Sequence, residues 1–179
     1  MIIRMDDRTD QLLGVVALAV MDRLRAGVAT VGEAEAGALV HVRAWPGGSV
    51  GDLAGVVGLS QPATVRLVDR LVERGLLRRD AGPDRRTVAL VLTEAGSRAA
   101  EAVLAARAEA LAPLLAGLSP GERGTLERLL GQVTAGLAAD RPGAVRVCRL
   151  CDRECCTSGP GCPLEHTTRP GGARTRPRG

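Results

Sequence analysis

The stretch over residues 49–96 constrains the fold of this 179-residue chain more than any other part of the sequence. It contains two short segments of helical periodicity separated by Gly58, then two strand-like segments around a turn at 81–84, and Thr93 caps the helical segment that follows. Two helices joined by a tight turn and followed by a hairpin are typical of a winged helix-turn-helix, which places its second helix in the major groove of DNA. The pattern therefore points to nucleic acid rather than to a reaction.

Helical periodicity extends this architecture towards the N-terminus. Apolar residues from Leu12 to Leu24 predict a helix over about residues 8–26. A second helix over about 33–44 should end at residues 45–48, because the sequence Trp-Pro-Gly-Gly breaks a helix.

The pattern after the hairpin is also helical. A helix begins after Thr93, Pro113 should bend or end it, and Ser119 with Glu122 forms a capping box at the start of a last helix. The predicted fold class is mainly α with a small β-hairpin wing: a winged helix-turn-helix flanked by N- and C-terminal dimerisation helices. We divide the chain into a body of residues 1–140, a cysteine-rich module of residues 141–166 and a disordered basic tail of residues 167–179.

Local signals define the two helices of the central motif. Ser49 and Asp52 have capping-box spacing, and Ser60 is expected to cap the second, recognition helix, which Gly75 ends. At 100° per residue, one face of this helix should pack and the opposite face should point outward. The packing arc comprises Thr64, Val65, Leu67, Val68, Leu71 and Val72; the outward arc comprises Pro62, Ala63, Arg66, Asp69, Arg70, Glu73 and Arg74.

Charge is unevenly distributed along the chain. The formal net charge is +4, but residues 141–179 carry eight Arg and three acids, so residues 1–140 sum to 4 − 5 = −1. Residues 60–90 nevertheless contain seven Arg and four acids, a local excess that suits phosphate binding. The charged start MIIRMDDRTD argues against a signal peptide, and no apolar run approaches the roughly 20 residues of a membrane span, so we expect a cytoplasmic protein with no membrane partner.

Five sequence pieces in this order resemble the MarR family of bacterial transcriptional regulators. They are Leu53-Ala54, Leu59-Ser60-Gln61-Pro62-Ala63, Arg66-Leu67-Val68-Asp69-Arg70-Leu71 with Arg74-Gly75-Leu76, Asp84-Arg85-Arg86, and Leu92-Thr93-Glu94-Ala95-Gly96. The resemblance implies a homodimer, built from the first and last helices, that binds a near-palindromic operator and usually represses transcription.

The same resemblance assigns DNA contacts to the outward face of the recognition helix and to the wing. The predicted DNA-contacting residues are Ser60, Gln61, Pro62, Ala63, Arg66, Arg70, Arg85 and Arg86. On the helix, Gln can pair with adenine, Arg66 with guanine, and Pro or Ala can touch a thymine methyl, whereas Arg70 holds phosphate. The wing arginines would enter or flank the minor groove. The alternative for the wing is a solvated hairpin with an Asp84–Arg86 surface pair.

Three further features allow more than one interpretation. The apolar residues of the last predicted helix suit either a dimer seam or packing within one subunit; they are Leu126, Leu129, Leu130, Val133 and Leu137. His41 lies near where family members often form a small-molecule pocket, although a packed or surface histidine is the simpler interpretation. Trp45, the only aromatic residue, is expected to anchor the core between two lobes.

All five cysteines lie within residues 148–162, just before His166. Cys148, Cys151, Cys156 and Cys162 have the spacing C-x2-C-x4-C-x5-C, and four thiolates in a compact loop can close a tetrahedral metal site. The spacing resembles a zinc knuckle, while Cys162-Pro163 resembles the end of a ferredoxin-type motif. Zinc is favoured over an iron–sulfur cluster, and a dithiol–disulfide switch comes third. Cys155 or His166 could replace one ligand.

These observations predict a sequence-specific DNA-binding regulator, a repressor, whose cysteine cluster binds metal and senses redox or metal state. A small-molecule or redox effector is a further expected partner. The alternative is a protein-interaction module with a structural zinc knob, and a metal-handling or redox enzyme is a third hypothesis. The sequence contains no Gly-rich phosphate loop and no Ser–His–acid set, which argues against an enzyme.

Overall fold

The computed structural model describes residues 7–82 and 88–165. Its elements are α1 (Arg8–Gly27), α2 (Glu33–Ala44), α3 (Val50–Val57), α4 (Gln61–Glu73), β1 (Leu77–Ala81), β2 (Val88–Leu92), α5 (Glu94–Leu115), α6 (Pro120–Ala135), α7 (Arg141–Val147) and α8 (Arg153–Thr157). The mainly helical architecture with a two-stranded antiparallel wing confirms the predicted fold class.

Caps at helix starts explain why the element boundaries follow the sequence. The Ser49 hydroxyl accepts a hydrogen bond from the Asp52 amide at 3.1 Å, and the Asp52 carboxylate accepts one from the Ser49 amide at 3.0 Å. At the other end of α3, Gly58 has φ +67°, a left-handed conformation that glycine adopts without a Cβ penalty. The predicted starts and ends of the first helices and the caps at Ser49, Thr93 and Ser119 are confirmed.

Two expectations, one about the last helix and one about the hairpin, need correction. The helix that begins after Ser119 is not the last, because α7 and α8 follow it. The turn after the first strand begins later than expected, since Ala81 still pairs with Val88. Pro113 lies inside the last turn of α5, which ends two residues later at Leu115.

The core lies between α2, α3, α4 and the hairpin. Its fully buried members include Leu39, Leu53, Leu67, Leu71 and Leu90. The segment before α3 is hydrogen-bonded to β2. The Gly47 amide donates to the Leu90 carbonyl (2.9 Å), and the Leu90 amide donates to the Gly48 carbonyl (3.0 Å). The wing is therefore attached to the end of α2 as well as to α4.

Residues beyond 140 pack against this core rather than away from it. Helix α7 lies on α3, with Ala144 fully buried and Val145 part of the same cluster as Leu53. Leu164, after α8, is also fully buried. The cysteine-rich segment thus shares its apolar packing with the helix-turn-helix.

Helix α1 packs against α5, and α5 also packs against α2. No single helix among the described residues is long and apolar enough to cross a bilayer; α5 and α6 together reach that length and composition, but the chain bends by 117° between them.

Candidate nucleic-acid interface and thiol cluster

Helix α4 buries one narrow stripe and exposes the rest. Thr64, Leu67, Val68 and Leu71 are buried, and the Thr64 hydroxyl donates to the Ser60 carbonyl at 3.0 Å. Of the predicted contact residues, Ser60, Gln61, Pro62, Arg66 and Arg70 are exposed, whereas Ala63 is half-buried. The structure thus leaves the side chains of Gln61, Pro62, Arg66 and Arg70 accessible to solvent.

Val65 corrects the predicted packing arc. We expected it to pack, yet its side chain is 38% exposed. At 100° per residue it lies about 100° from Thr64, the centre of the buried stripe, and so falls at the edge of that stripe. Val65 therefore belongs to the outward surface and adds an apolar group beside Arg66.

Ser60 occupies the N-cap position of α4, but its hydroxyl makes no capping hydrogen bond. This differs from the Ser49 hydroxyl, which closes a capping box on α3. Ser60 is exposed, so its hydroxyl is accessible to solvent beside Gln61.

Ion pairing separates the arginines of this region into two groups. The paired ones are Arg74 with Glu35 (2.5 Å), Arg79 with Asp69 (2.6 Å) and Arg78 with Asp80. Arg66 and Arg70 form no ion pair with any residue in 7–82 or 88–165. Their guanidinium groups are therefore available to an anion such as a phosphate or to the edge of a guanine. Arg85 and Arg86 lie outside the described residues, and their wing contacts stay predictions.

Comparison with known proteins agrees with this geometry. A model of the MarR family matches residues 30–87, which run from before α2 to the wing. This part of the chain is therefore similar to MarR family proteins, and the chain has the winged-helix fold of their solved structures. MarR family proteins are DNA-binding transcriptional regulators, not enzymes.

Solved structures extend the match beyond the family model. A MarR family protein from Bacillus stearothermophilus is 28% identical, with a TM-score of 0.62 over 70% of this chain and 89% of that one. A mutant of MarR from E. coli is 26% identical, with a TM-score of 0.58 over 69% and 94%. Rv2887 from Mycobacterium tuberculosis in complex with DNA is 22% identical, with a TM-score of 0.59 over 72% and 98%, and the same protein is known in complex with salicylic acid.

The cysteine-rich segment lies outside residues 30–87, and its fold brings four thiols together. Cys148 caps the end of α7, Cys151 follows in a turn whose amide donates to the Cys148 carbonyl (2.9 Å), and Cys156 lies in α8. Gly159 and Gly161, with φ of 77° and 91°, turn the chain so that Cys162 returns to the others. These four cysteines and Trp45 line one cavity of about 10 Å³, whereas Cys155 is exposed and does not line it.

The four sulfur atoms interact with one another as thiols. The Cys151 thiol donates to the Asp152 carbonyl oxygen at 3.6 Å. Interaction with Cys151 lowers the pKa of the Cys148 thiol, while the same interaction and burial raise the pKa of Cys151. Burial is the main cause of the raised pKa of Cys156 and of Cys162.

As placed, no three His, Cys, Asp or Glu side chains within residues 7–82 and 88–165 form a group that could hold a metal ion. The four predicted ligands nevertheless line one cavity. Thiols must lose their protons and turn towards a metal ion before they can ligate it.

Trp45 has a different role from the one expected. It is half-buried at the end of α2, its ring lies 5.0 Å from the His41 ring, and the Arg153 guanidinium lies 5.1 Å over it. Trp45 therefore joins the cysteine segment to α2. Nothing in the local sequence signals this contact, because it connects residues more than a hundred positions apart.

His41 is packed, as the simpler interpretation held. Its side chain is 8% exposed, and burial lowers its pKa from 6.5 to about 4, with the Arg141 charge adding to the effect and the Asp52 charge opposing it. Hydrogen bonds from Ser49 lower the pKa of Asp52. A cavity of about 200 Å³ between α2, α3 and α7 is lined by His41, Asp52 and Arg141. A second cavity, of about 240 Å³, lies between α2, α5 and α8 beside Arg43 and Arg153.

Proposed function

We propose that this regulator binds a near-palindromic operator as a homodimer and represses the genes behind it, with α4 in the major groove. The observation that carries the proposal is the exposed face of α4, where Arg66 and Arg70 remain without ion-pair partners among the described residues, beside Gln61 and Val65. Arg66 would contact bases, and Arg70 would contact phosphate. The DNA complex of the structurally similar Rv2887 supports this docking.

A selection experiment tests sequence preference directly. The zinc-supplemented full chain is used to select duplexes from a random library, and anisotropy then compares the selected duplex with a scrambled one at several salt concentrations. Arg66→Ala should reduce discrimination between the two duplexes by about 1–3 kcal/mol, whereas Arg70→Ala and Arg85→Ala should weaken both nearly equally and flatten the salt slope.

Arg98→Ala is the matched control, because Arg98 pairs with Glu94 on the surface of α5. Unchanged affinity in the Arg66, Arg70 and Arg85 variants would show that the docking is wrong. Equal binding of all duplexes by the wild type would instead favour a protein-interaction module.

The dimer in this proposal rests on exposed apolar side chains of the first and last long helices. Leu129, Leu130, Val133 and Leu137 of the α6 region are 45–56% exposed, and α1 buries none of its residues. Packing within one subunit therefore does not account for them. Apolar patches of this kind mark association surfaces, and a second copy of the chain would bury both.

We also propose that Cys148, Cys151, Cys156 and Cys162 hold one metal ion, with zinc favoured over an iron–sulfur cluster. Thiolates select these metals, the four thiols line one cavity, and their spacing resembles a zinc knuckle. Metal analysis of protein purified without oxygen should give about one zinc per chain and no colour. A brown protein with iron and sulfide would overturn the choice of zinc.

Cobalt substitution tests the ligand set. Co²⁺ added to the reduced apoprotein should produce the visible absorption of a tetrahedral thiolate site. Cys151→Ser should abolish that absorption, and Cys155→Ser should leave it intact because Cys155 is exposed to solvent. Full cobalt absorption in Cys151→Ser would exclude Cys151 as a ligand. Formation of a disulfide among the four thiols on oxidation would instead support redox sensing.

We propose the cavity between α2, α5 and α8, whose lining combines Arg43 and Arg153 with Asp152 and Glu154, as the site of a small-molecule effector. The salicylic acid complex of Rv2887 makes salicylate the first probe. Calorimetric titration should show binding that Arg43→Gln weakens; no heat of binding at millimolar salicylate would remove this class of effector.

A further inference from the structure

Helix α7 belongs to the core that supports the recognition helix. Val145 packs in the same cluster as Leu53 of α3 and Leu71 of α4, and Ala144 is fully buried. Because this cluster positions α4 against α3, the folding of α7 and the geometry of the helix-turn-helix are thermodynamically linked.

Arg146 extends this link to the turn of the motif. Its guanidinium lies against Gly58, the left-handed residue between α3 and α4, and a Cβ at Gly58 would overlap it. The turn is therefore covered by a side chain from α7, two residues before Cys148 caps that helix.

A second arginine fixes the same segment to α2. Two nitrogens of Arg149 donate to one Glu33 oxygen, at 2.6 and 3.2 Å, and its Cβ would lie 3.7 Å from a side chain at Gly37. With Arg153 over Trp45, three arginines connect the cysteine segment to the DNA-binding half.

The segment that provides these contacts has little means of folding alone. Helices α7 and α8 have seven and five residues, and α8 buries none of them. Helices this short are unstable without tertiary support. A metal bound by four thiols would cross-link the end of α7 to α8 and to Cys162, and would supply the missing free energy.

We infer that metal in the thiol cluster acts as a latch: it holds α7 so that Arg146 fixes the α3–α4 turn, and the metal-loaded chain is the form that binds the operator. Zn²⁺ would displace up to four thiol protons to solvent and leave a site of net charge −2, which Arg149 and Arg153 flank. This inference rests on the proposed metal site and the proposed DNA binding. By reciprocity, the operator should slow loss of the metal.

Two measurements on the reduced full chain test the latch, each in zinc-loaded and chelated form. Affinity for the selected duplex should fall at least tenfold on chelation and return with one equivalent of Zn²⁺. Amide hydrogen exchange at residues 57–61 needs no DNA, and should accelerate at least tenfold on chelation.

Arg146→Gln isolates the contact, with Arg98→Gln as the control of equal charge. Arg146→Gln should keep the cobalt absorption but lose most of the metal dependence of both readouts; Arg98→Gln should behave as wild type. The latch is wrong if amide hydrogen exchange at residues 57–61 of the wild type does not depend on zinc. It is also wrong if duplex affinity and exchange in Arg146→Gln depend on the metal as strongly as in the wild type. If the wild type shows metal-dependent exchange at residues 57–61 but no preference for the selected duplex, the DNA proposal is wrong, while the effect of the metal on the α3–α4 turn is retained.

Discussion

Gly96 leaves the least room for a side chain among the glycines that the structure describes. A Cβ built there would overlap the Leu76 carbonyl oxygen and approach Leu92 Cδ2 to 3.1 Å, because α5 begins directly against the start of the wing. The sequence marked this glycine only as part of a family motif; the structure gives the reason for it.

Gly96→Ala should destabilise the chain by about 2–3 kcal/mol or more, because a backbone oxygen must move. The matched control is Gly124→Ala in α6, where nothing lies within 4 Å of the added Cβ, so it should stabilise by about 0.5–1 kcal/mol. Urea unfolding measures both; similar stability of the two variants would contradict the clash.

His41 makes stability depend on pH. Its pKa is lowered from 6.5 to about 4 in the folded chain, so between these values the unfolded chain takes up a proton that the folded chain does not. Stability should therefore fall as pH decreases from 6.5 to 4, by up to about 3 kcal/mol. Asp52 and Arg141 face the ring and oppose each other in this effect.

Unfolding free energies at about pH 7, 5.5 and 4.5 check this expectation against His41→Gln, which keeps a polar side chain that cannot titrate. The variant should lose less stability over the interval. An equal loss in both proteins would assign the pH dependence to other groups.

At the scale of single elements, helices α3 and α4 both have a serine at the N-cap, but only one of the two hydroxyls makes a capping hydrogen bond. Ser49 closes a capping box with Asp52, whereas Ser60 makes no side-chain cap bond. Sequence spacing predicted the position of both caps, but only the folded geometry shows which hydroxyl is used.

Ser49→Ala should therefore destabilise the chain by about 1 kcal/mol, and Ser60→Ala by only a few tenths. The second variant should instead weaken binding to the selected duplex, because its hydroxyl faces the proposed DNA surface. Thermal unfolding and anisotropy separate the two effects; a larger stability loss in Ser60→Ala would mean that its hydroxyl caps α4 after all.

Helix boundaries were predictable because they depend on residues that are close in sequence. Ser49, Gly58 and Thr93 act within one turn of their own helix, and each boundary lies at the expected place. The exposure of Val65 was not predictable in the same way, since a residue at the edge of an apolar arc is buried or exposed according to its neighbours.

At the scale of the whole molecule, the exposed apolar surface of α6 is the feature that the single chain leaves unexplained. Leu130→Glu should shift the protein to monomers in analytical ultracentrifugation and weaken operator binding by at least tenfold, because two half-sites could no longer be bound together. Gln132→Glu adds the same charge beside the apolar stripe and should remain dimeric. A monomeric wild type would contradict the proposed assembly.

The amino-acid sequence by itself determined the winged helix-turn-helix, the resemblance to the MarR family and the composition of the thiol cluster, because caps, periodicity and motif spacing are local signals. Tertiary structure alone decided three matters: Arg66 and Arg70 stay unpaired among the described residues, α7 packs on α3, and Arg146 covers the turn at Gly58. Each depends on contacts between residues distant in the chain. Such contacts arise from burial of shared apolar surface and from charge pairing, which no local pattern specifies.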